Sequence, residues 1–248
     1  MLGAVGTQPS SCPAQDNTSP KAVEGRPSPH RNQMLHQQGT KIVDEHGKEV
    51  KLRGVSLGGW LIWEGWIFGK GIPTSERTII TRLQKAVGDR DADEFRRQVY
   101  DNFITGADIQ RISEAGFNCV RVPLYQRLFK DDTGWKLLDR LLGWCERHQV
   151  YVVLDLHAVP GGQSNLGMAD PGDARGLVWA SEENQKRTIE IWKLIAARYR
   201  QRKIVAGYDL INEPAPPTGA DLVLLYRRLS NTDYDERMEK ALLPTRRR

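Results

Sequence analysis

Val150-Tyr151-Val152-Val153-Leu154-Asp155-Leu156-His157 is the stretch on which the fold turns. Its apolar side chains are consecutive rather than alternating. A strand of that kind must be covered on both faces, as parallel strands between layers are. The run then ends on two titratable residues, Asp155 and His157. Leu52–Leu57, Phe117–Pro123 and Ile204–Asn212 have the same form. Strands are therefore expected at about 52–57, 117–122, 150–156 and 204–211.

Helical patterns fall between these runs. Thr105 with Asp108 fits a capping box, and Ile104 with Ile109 fits its hydrophobic staple. Ile109, Ile112 and Ala115 make a buried stripe that Gly116 closes. Leu138, Leu141, Leu142 and Cys145 form the stripe of the next helix. Ser181 caps a third, with Glu182 and Glu183 in its first turn and Ile189, Trp192, Ile195 and Tyr199 facing inward. Asp221–Leu229 reads as a fourth. Strands alternating with such helices give βαβ units and a parallel sheet, either doubly wound or closed as a (β/α)8 barrel.

The strand ends separate the two. They read Gly58-Gly59-Trp60-Leu61, Arg121-Val122-Pro123, Asp155-Leu156-His157 and Asn212-Glu213-Pro214. Barrel enzymes carry their chemistry on the C-terminal ends of strands. Taken singly, each has a plain structural reading: an ion-pair arginine, a satisfied histidine, a turn before proline. Packing alone does not call for polar residues at the same place in successive units. Gly161-Gly162 lacks both phosphate-loop spacings. Asp155-Leu156-His157 lacks the further histidines a barrel metallohydrolase needs, so no metal or other cofactor is expected.

Outside this frame, residues 1–38 are rich in Pro, Ser, Gln, Asn and Gly and read as a disordered tail, leaving 39–248 as the domain. Lys41–Val50, with the turn signal Glu45-His46-Gly47-Lys48, suggests a small hairpin. The net charge of +5 is scattered, with no basic stripe interleaved with aromatics, so nucleic acid is not an expected partner. Three cysteines, Cys12, Cys119 and Cys145, make no disulfide framework. Cys119 and Cys145 read as core residues. No apolar run approaches the length of a membrane span, so no membrane role is expected. No secretory signal is visible, and the compartment stays open.

As an ordered set, Arg53-Gly54-Val55-Ser56-Leu57-Gly58-Gly59-Trp60-Leu61, Val120-Arg121-Val122-Pro123, Leu154-Asp155-Leu156-His157 and Leu210-Ile211-Asn212-Glu213-Pro214 resemble glycoside hydrolase family 5. Gly58-Gly59-Trp60-Leu61 and His157–Asn165 resemble its exo-β-1,3-glucanase-like branch; cellulases share the fold. The resemblance covers roughly residues 41–229. It implies a (β/α)8 TIM-type barrel and retaining hydrolysis of β-1,3- or β-1,4-linked glucans. It implies Glu213 as general acid/base. Arg121, His157, Asn212 and Trp60 would bind substrate, with Asn212 on the sugar 2-hydroxyl and Arg121 holding the nucleophile ionised.

The barrel motifs stop after about four βα units, and Asn231–Arg248 does not read as a fifth. The family's nucleophile, on its seventh strand, is not expected within this sequence, nor is hydrolysis by the chain alone. Open sheet edges are expected to favour self-association. A second reading is a non-catalytic carbohydrate-binding half-barrel or degenerate homologue, with Trp60, Trp63, Trp66 and Trp179 stacking on sugars. A third is a partner-binding unit using the unclosed sheet edge.

Overall fold

A computed structural model describes residues 33–169 and 176–230. At its centre is a four-stranded sheet: β3 (Gly54–Ser56), β4 (Cys119–Tyr125), β5 (Tyr151–Ala158) and β6 (Val205–Asp209). The strands are parallel and lie in sequence order. This is the order a barrel requires, and the sheet with its helices covers part of one. A small antiparallel hairpin, β1 (His36–Gln38) with β2 (Lys41–Val43), lies ahead of it.

The hairpin corrects the reading of 1–38 as disordered at its C-terminal end. His36–Gln38 is strand, turned by Gly39-Thr40. Residues 1–32 lie outside the described residues, as do Cys12 and the 231–248 tail. The turn expected at Glu45–Lys48 is present too. The Asp44 carboxylate accepts from the N–H of His46 and Lys48, and Val43 bridges Glu49.

Three helices expected from the sequence lie where the pattern put them. In α4 (Gly106–Glu114), the Asp108 carboxylate accepts from the Thr105 N–H (2.9 Å) and hydroxyl (2.7 Å). α5 (Thr133–His148) buries Leu138, Leu141, Leu142 and Cys145. In α6 (Glu182–Tyr199), the Ser181 hydroxyl accepts from the Asn184 N–H (3.2 Å), and Trp192, Ile195 and Tyr199 are buried. α7 (Gly219–Ser230) is the fourth. The first crossover holds more than expected. Beyond α4 it carries α1 (Gly65–Phe68), α2 (Glu76–Val87) and α3 (Asp89–Asn102). α3 buries only Ala92 and Tyr100, so it has no apolar stripe to read.

β4 runs through Pro123, where the sequence suggested an end. A proline inside a sheet costs a ladder hydrogen bond unless its nitrogen faces an unpaired side. The Arg121 carbonyl accepts from the Leu57 N–H (2.9 Å) on the β3 side. By the alternation of parallel pairing, the Pro123 nitrogen faces that side as well, and β3 has already ended. β3 approaches β4 closely. A Cβ on Gly54 would sit 2.3 Å from the Cys119 carbonyl oxygen, so glycine is required there.

Register decides which side chains meet. Arg121 pairs with Val153, which pairs with Gly207; Pro123 pairs with Asp155, which pairs with Asp209. With a period of two, Arg121, Asp155, His157 and Asp209 share one face of the sheet. The alternate residues Val122, Leu124, Leu154 and Leu156 are fully buried in the apolar core together with Leu138 and Leu142 of α5. No described helix is long and apolar enough to cross a membrane.

Candidate active site

The polar face of the sheet ends in a connected cluster. Arg121, from β4, donates from Nε (3.1 Å) and Nη2 (2.8 Å) to one oxygen of Asp209, on β6. The same Nη2 lies 2.9 Å from Asp155 Oδ2 and 2.7 Å from Asn212 Oδ1. On β5, the His157 Nδ1 lies 2.6 Å from Asp155 Oδ2. The Asn212 Nδ2 lies 3.3 Å from the other ring nitrogen, His157 Nε2. If Asn212 Nδ2 donates there, Nε2 accepts and Nδ1 carries the proton donated to Asp155.

Asp155 is fully buried, and burial pushes its carboxyl up to about 6 against the pull of His157 and Arg121. Both of its charged contacts fall on Oδ2; Oδ1 is buried without a hydrogen-bond partner among the described residues. The Arg121 guanidinium lies against both carboxylates, Asp155 and Asp209, and offsets part of the cost of burying them.

Asn212 is anchored through its backbone as well. Its N–H donates to the Leu156 carbonyl (3.3 Å), and its carbonyl accepts from Gln163 Nε2 (2.9 Å). Gln163 is buried and also donates to the His157 carbonyl (2.7 Å), so one amide holds the ends of β5 and β6 together. The next residue, Glu213, is exposed and has φ +40°, a left-handed backbone uncommon outside glycine. It follows directly on the anchored Asn212.

A further carboxylate enters from the loop after β3. Glu64 is buried, and its Oε1 lies 4.0 Å from His157 Nε2. Its Oε2 accepts from the indole N–H of Trp66 (3.0 Å). The described residues hold no cluster of metal-ligating side chains.

Arg121 and His157 thus each contact both Asn212 and Asp155, and Glu213 adjoins Asn212 in sequence. Trp60 is a correction. It is 0% exposed, its indole N–H donates to the Tyr100 carbonyl (2.9 Å), and it belongs to the core. A ring enclosed in this way has no face to offer a sugar. Trp63 is buried as well, and Trp179 gives its N–H to the Gln163 carbonyl (2.9 Å). Trp66 alone of the four is largely exposed, at 69%. Sequence reading missed Asp209, Glu64 and the tie made by Gln163. Asp155 stood in a quoted motif without a role. The Gly161-Gly162 turn is not an anion cradle: a Cβ on Gly161 would meet the Asn184 side chain at 2.4 Å, so the turn is packed against α6.

Comparison with known proteins bears on this arrangement. The model of the family described as cellulase (glycosyl hydrolase family 5) matches residues 43–242. A β-xylosidase of Phanerodontia chrysosporium is 38% identical over 203 residues, covering 79% of this chain and 42% of the relative. A probable glucan 1,3-β-glucosidase A of Aspergillus clavatus is 31% identical, covering 68% of this chain and 43% of its own length. A glucan 1,3-β-glucosidase of Yarrowia lipolytica is 31% identical, covering 78% and 50%. The chain spans about half the length of the curated relatives it matches. Among solved structures, the rutinosidase of Aspergillus niger superposes with a TM-score of 0.61 at 17% identity, over 74% of this chain and 60% of that one, a likeness of fold.

Proposed function

The chain belongs to glycosyl hydrolase family 5, and from that membership we propose that it carries the acid/base half of a retaining glycosidase acting on β-linked glucans. Glu213 is the general acid/base in this reading. The observation that carries it is the left-handed backbone of Glu213, held directly after an asparagine fixed to Arg121, His157, Leu156 and Gln163. Backbone strain of this kind persists where the surroundings enforce it and clusters at functional sites.

Retaining hydrolysis needs two carboxyl groups ~5–5.5 Å apart, one to protonate the leaving oxygen and one to attack the anomeric carbon. Glu213 gives its proton to the departing sugar, then takes one from the water that releases the glycosyl-enzyme. Asn212, with Oδ1 and Nδ2 fixed by Arg121 and His157, is oriented to meet a sugar hydroxyl. Asp155 and Asp209 are not suited to the attack, because their side chains are only 0% and 15% exposed. The attacking carboxylate is therefore expected from outside the described residues. Arg121 would hold it ionised.

The names of the relatives favour a β-1,3-glucan or a β-xyloside as substrate. The carbohydrate-binding reading that used four tryptophans loses support, because Trp60 and Trp63 are enclosed. The test is an assay on unactivated glucans, laminarin and carboxymethyl-cellulose. In any polypeptide that joins these residues to a nucleophilic carboxylate, Glu213→Gln should lower turnover by ~10²-fold or more. Turnover within a few-fold of the parent on laminarin would remove Glu213 as the acid. The 248-residue chain by itself should bind gluco-oligosaccharides and hydrolyse them negligibly.

A further inference from the structure

A cleft of about 500 Å³ opens between α2, α3 and the 3-10 turn Gln126–Phe129 that follows β4. That size lies within the range of small-molecule sites. Its floor is apolar, made by Ile80 of α2, Leu128 of the turn and the ring of Tyr100 from α3. Its walls carry acids and arginines side by side, so net charge does not say what the cleft would hold. Counting hydrogen-bond donors against acceptors does.

The acids of the walls are committed. Glu76 is buried, and its Oε2 accepts from the Trp63 N–H (3.0 Å). Asp93 Oδ1 accepts from Arg96 Nη2 (2.8 Å), and Asp131 Oδ1 accepts from the Thr133 N–H (2.7 Å). The donors are in surplus. Arg96 spends only Nη2 on Asp93, and the Arg127 guanidinium makes neither an ion pair nor a hydrogen bond among the described residues. Arg127 is held all the same, with its guanidinium over the Tyr125 ring, 5.3 Å from the centroid. Tyr100 is the third donor. It is only 8% exposed, and its hydroxyl has no hydrogen-bond partner among the described residues, although its carbonyl accepts from both Trp60 and Arg140. Burial keeps that phenol protonated. Water can supply acceptors to these groups, but it leaves the apolar floor wet. A ligand that brings acceptors on an apolar body satisfies the donors and covers Ile80 and Leu128 together.

We propose that this cleft binds a small organic oxyanion, a carboxylate or phosphate group carried on a flat apolar body. The oxyanion takes the N–H groups of Arg127 and Arg96 and the Tyr100 hydroxyl, and the body lies on the floor. Charge-assisted bonds from a guanidinium are strong, and stacking on Tyr125 sets the plane of Arg127 before the ligand arrives. Neither Arg121 nor His157 lines the cleft, so the proposal stands apart from the glycosidase reading.

Calorimetric titration of the 248-residue chain with benzoate, phenyl phosphate and benzyl alcohol tests it. One or both anions should bind at millimolar concentration, and the tighter of the two identifies the oxyanion. Benzyl alcohol, with the same ring and no charge, should bind about tenfold more weakly or worse. Arg127→Gln, at an exposed position, should weaken anion binding by about tenfold, as loss of a charge-assisted hydrogen bond does. Tyr100→Phe keeps the ring and should weaken binding a few-fold while helical circular dichroism is unchanged. Lys130→Gln removes an exposed cation that does not line the cleft, and it should bind as the parent does. Unchanged affinity in Arg127→Gln or in Tyr100→Phe would overturn the proposed contacts. Equal weakening by Lys130→Gln and Arg127→Gln would reduce the effect to general surface charge and overturn the site. So would benzyl alcohol binding as tightly as the anions, or a folded parent that binds neither anion.

Discussion

Asp155 receives both of its charged contacts on a single oxygen, while Oδ1 is buried without a partner among the described residues. A proton can therefore settle on Oδ1 without displacing His157 or Arg121. Burial drives the carboxyl up to about 6, whereas a free aspartate titrates near ~3.9. The folded value is the higher one. The stability tied to the protonated form is therefore full below about pH 4 and lost as pH rises through about 6. Asp155→Asn cannot titrate, so the parent's stability relative to this variant should fall across that window in urea unfolding series. Parallel profiles for the two would show that Asp155 titrates in the ordinary range. Arg121, His157 and Asn212 were legible in sequence because they end apolar runs, where polarity has no packing purpose. Asp209 was not, since an acid at the end of a strand looks like any ion-pair partner. Glu64 lies in an irregular loop whose approach to His157 depends on the tertiary fold. Trp60 misled because a tryptophan after a strand reads equally as core and as platform.

At the scale of elements, the parallel strands could be read because burial on both faces leaves a continuous apolar run, as in β4 and β5. β1 could not: three residues, His36-Gln37-Gln38, carry no alternation to detect. Nor could α3, whose charged residues pair with one another, as Arg97 does with Glu94 and Asp101. The core between β4 and α5 holds Cys119 and Cys145, both buried, and burial pushes the Cys119 thiol up to about 12 and the Cys145 thiol higher still. A thiol attacks a disulfide reagent as its thiolate, so both should resist such a reagent in the native chain. The thiol count should rise by two on denaturation. Labelling of either before unfolding would mean that α5 does not seal against the sheet as described. The loop that presents Trp66 depends on Gly65 in the same strict way. Gly65→Ala would put a methyl group 1.8 Å from the Pro73 carbonyl oxygen and should lower the thermal midpoint by several degrees. An unchanged midpoint would show that the loop can shift to admit the methyl.

Over the whole molecule, the sheet raises a question that none of its elements answers alone. β3 and β6 each have a strand on one side only among the described residues. An unpaired strand edge exposes a row of N–H and C=O groups to any chain that can add to it. The exposed apolar residues of the helices after β5 and β6 add to this. Leu194 of α6 and Val223 and Leu224 of α7 are each about half exposed, although α7 buries Leu225 and Leu229 on its other side. A net charge of +5 spread over 248 residues offers only weak repulsion against association. A polypeptide of these residues should therefore self-associate, and the apolar side of α7 should be part of the contact. Light scattering coupled to size exclusion should give a mass well above 28.1 kDa that falls on dilution. Replacing Val223 and Leu224 together by lysine removes the apolar area and adds like charge on each copy. That double variant should shift toward the monomer while keeping its helical circular dichroism. Two results would count against this view. A monomeric parent at high concentration would mean that the strand edges are already shielded, and an unchanged oligomer in the double variant would assign the contact to the edges of β3 and β6 instead.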